Sequence, residues 1–143
     1  MLDELIARIS SRVPDLAGRT SAAADLAALM AANALPPAPV AAFVLPLALQ
    51  GGHPAAATGL FVQEVEEVVA VLLVFRTAGS TGERALPRLR EVIAGVAAAL
   101  AGWAPDEVPG VFRLVRGGIV RMSEGALVYQ LDFAITDQLR ITP

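Results

Sequence analysis

The stretch Gly125–Leu139, "GALVYQLDFAITDQL", alternates apolar and polar residues almost without a slip. Leu127, Tyr129, Leu131, Phe133 and Ile135 fall on one side, and Val128, Gln130, Asp132, Thr136 and Gln138 on the other. A period of two marks a half-buried β-strand, here an unusually long one. The rest of the chain must supply a sheet for it and a layer to cover one face.

The other elements follow from the same reading. "MLDELIARISSRV" places Leu2, Leu5, Ile6, Ile9 and Val13 at helical spacing, and Pro14 stops that helix. "DLAGRT" reads as a short extended piece, and "SAAADLAALMAANAL" as a second helix capped by Ser21 and ended before Pro36. Residues 39–49 read as a strand whose Pro46 marks an edge or a bulge, and residues 50–59 as a loop. Residues 60–76 form a second long strand. Its half 68–75 is apolar on both faces, as in a strand covered on both sides, whereas 61–67 carries Glu64, Glu66 and Glu67 and is expected to protrude. "TAGSTGERA" is a loop before the longest helix, near 84–102, which starts close to Leu86 because Pro87 suits a first turn. Its buried stripe is Leu86, Leu89, Ile93, Val96 and Leu100, packed against the alternating strand. "VFRLVRGGIVRM" is extended, interrupted at Gly117-Gly118. The order α, α, β, β, α, β, β predicts one α+β domain over residues 1–143, a mostly antiparallel sheet of about four strands with two to three helices packed on it.

Composition narrows the function. Hydrophobic residues make up 55% and charged ones 17%, against roughly 25% charged in an ordinary soluble domain. Apolar surface is therefore expected to remain after the core is filled, and self-assembly is its usual destination. All eleven basic residues are arginine, which removes P-loop, Schiff-base and general-base lysine chemistry. The absence of cysteine removes disulfides, thiol catalysis and thiolate metal sites. A net charge of −3 disfavours a nucleic-acid footprint. Asp3 and Glu4 oppose a signal peptide. Residues 26–63 lack Asp, Glu and Arg, but prolines and glycines break them up before the roughly 18 apolar residues of a spanning helix are reached. A soluble protein without a membrane partner is expected.

No catalytic, cofactor or metal site emerges. His53, the only histidine, sits in "GGHPAAATG" without a nucleophile elbow, so a triad with Ser80 or Ser123 is disfavoured against a plain turn residue. No carboxylate spacing suggests an oxygen cage. The clusters "QGG", "TAGSTG" and "RGG" lack the strand–GxGxxG–helix context and read as loop punctuation. Glu64, Glu66 and Glu67 read as a solvated or partner-facing strand end rather than an acid/base pair. Arg113, Arg116 and Arg121 have no interleaved aromatics for nucleic acid. Arginine facing these glutamates on a neighbouring strand or subunit is the simpler reading, because its fork pairs bidentately with carboxylate. These six residues are the subunit-interface candidates.

Three features together resemble a known family: the helix end "AALAGWAPDE", the segment "FRLVRGGIVRMSEGALVYQLDFAITDQLR", and "LIARISSRVPDLAGRTSAAADLAAL" leading to "PPAPVAAFVLPL". This chain resembles the tail terminator proteins of Mu-like, contractile-tailed phages and prophages. The resemblance covers nearly the whole chain and is most specific over residues 98–140. It implies a homohexameric ring at the head-proximal end of the tail that stops tube and sheath polymerisation and presents a surface to neck or head-completion proteins. It further implies a virion component assembled in the host bacterial cytoplasm, with no cofactor and no catalytic residues to carry over. Nothing in the residues distinguishes the two ring faces, so a neighbouring head–tail connector subunit is the nearest alternative.

Outside that class, the competing expectation is a non-viral α+β binding module with a concave apolar pocket. On the assembly reading, at least one Glu–Arg pair crosses between subunits, with Glu66 and Arg116 the first pair to consider.

Overall fold

The computed structural model describes residues 1–77, 85–123 and 125–143. Helix α1 (Leu2–Arg12) is followed by a 3-10 turn at Pro14–Leu16, the short strand β1 (Thr20–Ala22) and helix α2 (Ala23–Ala31). Strands β2 (Val40–Ala57) and β3 (Leu60–Arg76), helix α3 (Ala85–Leu100), and strands β4 (Arg113–Ser123) and β5 (Ala126–Ile141) complete the fold. The five strands lie in the order β1-β2-β3-β5-β4. β1 runs parallel to β2 and every other pairing is antiparallel. The described residues thus form an α+β fold, with three helices on one mixed sheet, close to the expected architecture.

The alternation of β5 decides the layering. Leu127, Leu131, Phe133 and Ile135 are buried on the face that α1 and α3 cover, and Tyr129 is half-buried. In register beside them stand Val69, Val71, Leu73 and Phe75 of β3, then Val40, Ala42 and Val44 of β2. Leu5 and Ile9 of α1 and Leu89, Val92, Val96, Ala99 and Leu100 of α3 close this core. The α3 stripe differs in part from expectation: Leu89, Val96 and Leu100 are buried, Ile93 is only half-buried, and Val92 and Ala99 face inward. The Leu86 side chain and most of the "TAGSTGERA" loop lie outside the described residues. α3 abuts α1 closely: a Cβ on Gly95 would stand 3.4 Å from Val13.

Arg8 ties α1 to the end of α3. Its Nε donates to the Ala99 carbonyl at 2.8 Å, and its guanidinium lies 5.1 Å from the Trp103 ring centroid. Trp103 stacks on Phe112 with centroids 6.0 Å apart, sealing the sheet end.

The opposite face carries α2, whose Leu26 and Leu29 pack on Ala41, Phe43 and Val74, as do Leu72 and Val128 of the sheet. Cover on both faces explains why residues 68–75 are apolar throughout. Helix α2 is shorter than the expected 21–35. Ser21 pairs with Phe43 in β1 instead of capping, and Ala22 occupies the N-cap without a side-chain bond. Edge pairing to β2 outcompetes the cap there. Asn33, at φ 51, then turns the chain out of the helix in a conformation asparagine tolerates.

Residues 50–59 are the main correction. The expected loop continues β2 as strand to Ala57, with only Thr58-Gly59 turning into β3. Register shifts between Pro46 and Ala48 and between Gly51 and Pro54 absorb the prolines and glycines as bulges. Gly117-Gly118 likewise does not interrupt β4. The strand is continuous, with irregularities at Leu114/Arg116 and Ile119/Arg121. A Cβ on Gly117 would lie 2.9 Å from both Leu131 Cδ2 and Tyr129 Oη, so glycine admits the tyrosine ring against the strand.

Candidate assembly surfaces

The buried core ends at Val44 on β2, Val69 on β3 and Ile135 on β5. Past these residues the three strands continue without helix cover to Ala57, Leu60 and Ile141. At roughly 3.3 Å per residue, the uncovered part of β2 makes an arm on the order of 40 Å long. Its register is unbroken between β3 and β5, from Phe61 opposite Ile141 to Val68 opposite Ala134. Gln63 Nε2 donates to the Gly52 carbonyl at 2.9 Å across the second bulge of β2. His53 lies exposed on this arm, and among the described residues no three metal-ligating side chains gather.

The arm carries all three glutamates singled out from the sequence, on two faces. Glu64 and Glu66 stand on the α2 face, in register with Gln138 and Thr136, and Glu67 stands on the α1/α3 face opposite Ile135. Glu67 shares its face with Asp137. Burial raises the Glu67 pKa above the ordinary glutamate value, the Asp137 charge adds to the rise, and the amino-terminal charge opposes it.

The three arginines stand on β4, the far edge of the sheet. Arg113, Arg116 and Arg121 lie opposite Ala134, Asp132 and Val128, so all three belong to the α2 face. The structure brings one candidate pair together: Arg113 Nη2 donates to Glu66 Oε2 at 2.9 Å, across β5 and within one chain. Glu66 and Arg116 are not paired. Arg116 is exposed, and its register partner Asp132 is buried and accepts a bond from Gln130 Nε2 at 2.7 Å.

Two features escaped the sequence reading. Leu114, Ile119 and Met122 form an exposed apolar row on the α1/α3 face of β4, opposite Phe133, Tyr129 and Leu127. The two bulges break the period of two that would have revealed it. On the other face, a groove of about 660 Å³ runs between α2 and β4, lined by Leu29, Met30, Leu35, Val120, Arg121 and Val128 among others. Among the described residues, ten of the twelve large hydrophobic side chains that remain exposed lie on the arm or on β4 and the residue Val111 just before it. Such patches on a small domain mark contact surfaces.

No helix among the described residues is long and apolar enough to cross a membrane. A domain with two uncovered apolar surfaces, an acidic arm and a basic edge is suited to assembly. The family model described as phage tail terminator protein matches residues 2–143. The chain belongs to the phage tail terminator family. As a member it has a structural role in the phage tail and is a component of the virion. No curated protein matches the chain. The exposed arm and the β4 edge are therefore candidate contact surfaces of a tail subunit.

Proposed function

We propose that this terminator forms a sixfold homomeric ring at the head-proximal end of a contractile tail, where it stops tube and sheath polymerisation and receives the neck or head-completion proteins. Assembly takes place in the host bacterial cytoplasm, and the role is structural, without turnover of a substrate. The observation that carries this reading is family membership over residues 2–143. The shape of the subunit supports it, because exposed apolar side chains concentrate on the arm and on β4. Contacts between two different surfaces of one chain are heterologous, and such contacts close into rings at the right rotation. The interface candidates Glu64, Glu66, Glu67, Arg113, Arg116 and Arg121 all lie on these two surfaces.

Electron microscopy of tails assembled with and without this chain tests the reading. The expected result is tubes of uniform length capped by sixfold density at the head-proximal end, and tubes of uncontrolled length without the chain. Uniform tails in its absence, or a single copy at the tube end, would overturn it.

A further inference from the structure

We propose that the arm of one copy seats against the β4 edge of the next, with Glu64 meeting Arg116, and that this is the contact that closes the ring. The inference rests on the ring reading above and names its surfaces.

The first support is charge. β4 carries three arginines and no acidic residue, while the β3 half of the arm, residues 60–68, carries three glutamates and no basic residue. One of these pairs is already made within the chain, since Arg113 holds Glu66. Among the described residues neither Glu64 nor Arg116 has an ion pair, and both are exposed on the α2 face. Arg113 also supplies the reach: it spans an intervening strand to find its carboxylate. Arg116 can span the neighbour's β2 to Glu64 in the same manner.

The second support is that the two edges match face by face. On the α1/α3 face the arm exposes Leu49, which stands in register with Glu67, and β4 exposes Leu114, Ile119 and Met122. On the α2 face the arm exposes Glu64 and β4 exposes Arg116 and Arg121. When the sheets of two copies lie side by side facing the same way, apolar meets apolar on one face and opposite charges meet on the other. Beyond β1, which pairs only with residues 42–44, β2 is the outer strand on its side, and β4 is the outer strand on the other. Joining them is head-to-tail, as a ring requires. Pro46 and Pro54 each remove a backbone donor from β2, so side chains rather than a continuous hydrogen-bond ladder carry this contact.

The test uses tails assembled with this chain as the sole terminator. The variants are Glu64→Arg, Arg116→Glu and the double reversal in one chain, with thermal melts confirming that each monomer folds. The expected result is loss of the terminal ring and of length control in either single reversal, and recovery in the double. A second measurement exploits the absence of cysteine. Leu49→Cys combined with Ile119→Cys should give an oxidative ladder of linked copies, and neither cysteine alone should. Rings and normal tails in both single reversals, or no ladder from the paired cysteines in tails that carry rings, would overturn the proposal and leave the ring reading intact. Parent tails without any ring would overturn the ring reading itself.

Discussion

Arg113 on β4 reaches across β5 and donates to Glu66 on β3 at 2.9 Å, so one arginine clamps three strands where the arm leaves the core. Both side chains are substantially exposed, and exposed pairs are worth about 0–1 kcal/mol. Glu66→Gln and Arg113→Ala should therefore lower monomer stability by no more than that, and a double-mutant cycle should give a coupling in the same range. A coupling well above it in a denaturant titration would mean that the clamp is a principal determinant of the fold.

Leu131 is buried between Val71 and Gly117 in the middle of the sheet. Leu131→Ala should cost about 2–5 kcal/mol through lost transfer energy and the cavity left behind. Ile93, only half-buried at the helix surface, should cost nearer 1 kcal/mol when changed to Ala. Equal losses for the two in urea unfolding would place Ile93 deeper in the core than its exposure implies.

The difference between Leu131 and Ile93 bears on what could be read in advance. Strand alternation was legible in β5 because Leu127, Leu131, Phe133 and Ile135 all meet a covered face, and the pattern survives to Ile135. Helix phase was less legible, since alanines at many α3 positions let the stripe rotate by one residue toward Val92 and Ala99. The arm was hidden because Pro46, Gly51, Gly52 and Pro54 look like loop residues, yet bulges absorb them and pairing to β3 overrides their local preference. The six charged interface candidates were visible by type. Which of them pair within the chain depends on register across β5, and no spacing in the sequence encodes that.

Gly110, in the segment leading into β4, lies against the β5 backbone at Thr136. A Cβ there would collide with the carbonyl oxygen of Thr136 and crowd its backbone nitrogen. Backbone cannot move aside as a flexible side chain does, so Gly110→Ala should destabilise by about 1–3 kcal/mol. Gly118→Ala is the control, because nothing lies within 4 Å of the place its methyl group would occupy, and it should melt at or slightly above the parent. Indistinguishable melting of the Gly110 variant would show that this segment is free to lift from β5.

Glu67 gives the fold a pH dependence of definite sign. Burial, then the Asp137 charge, raise its pKa in the folded chain, and the amino-terminal charge only partly offsets them. The folded state therefore holds this proton more tightly than the unfolded chain does. Stability from this group is greatest below its unfolded pKa and declines as the pH rises through the interval up to the folded value, beyond which the loss is complete. Glu67→Gln keeps the shape of the protonated side chain and removes that decline. The difference in melting temperature between variant and parent should shift in the variant's favour as the pH rises above the unfolded glutamate value, and level off once the folded value is passed. Adding Asp137→Asn to the parent should shrink that gain, since one cause of the raised pKa is then gone. Thermal melts of the four combinations across the acid-to-neutral range measure it, and a variant that falls further below the parent as the pH rises would show that the ionised carboxylate is stabilised where it stands.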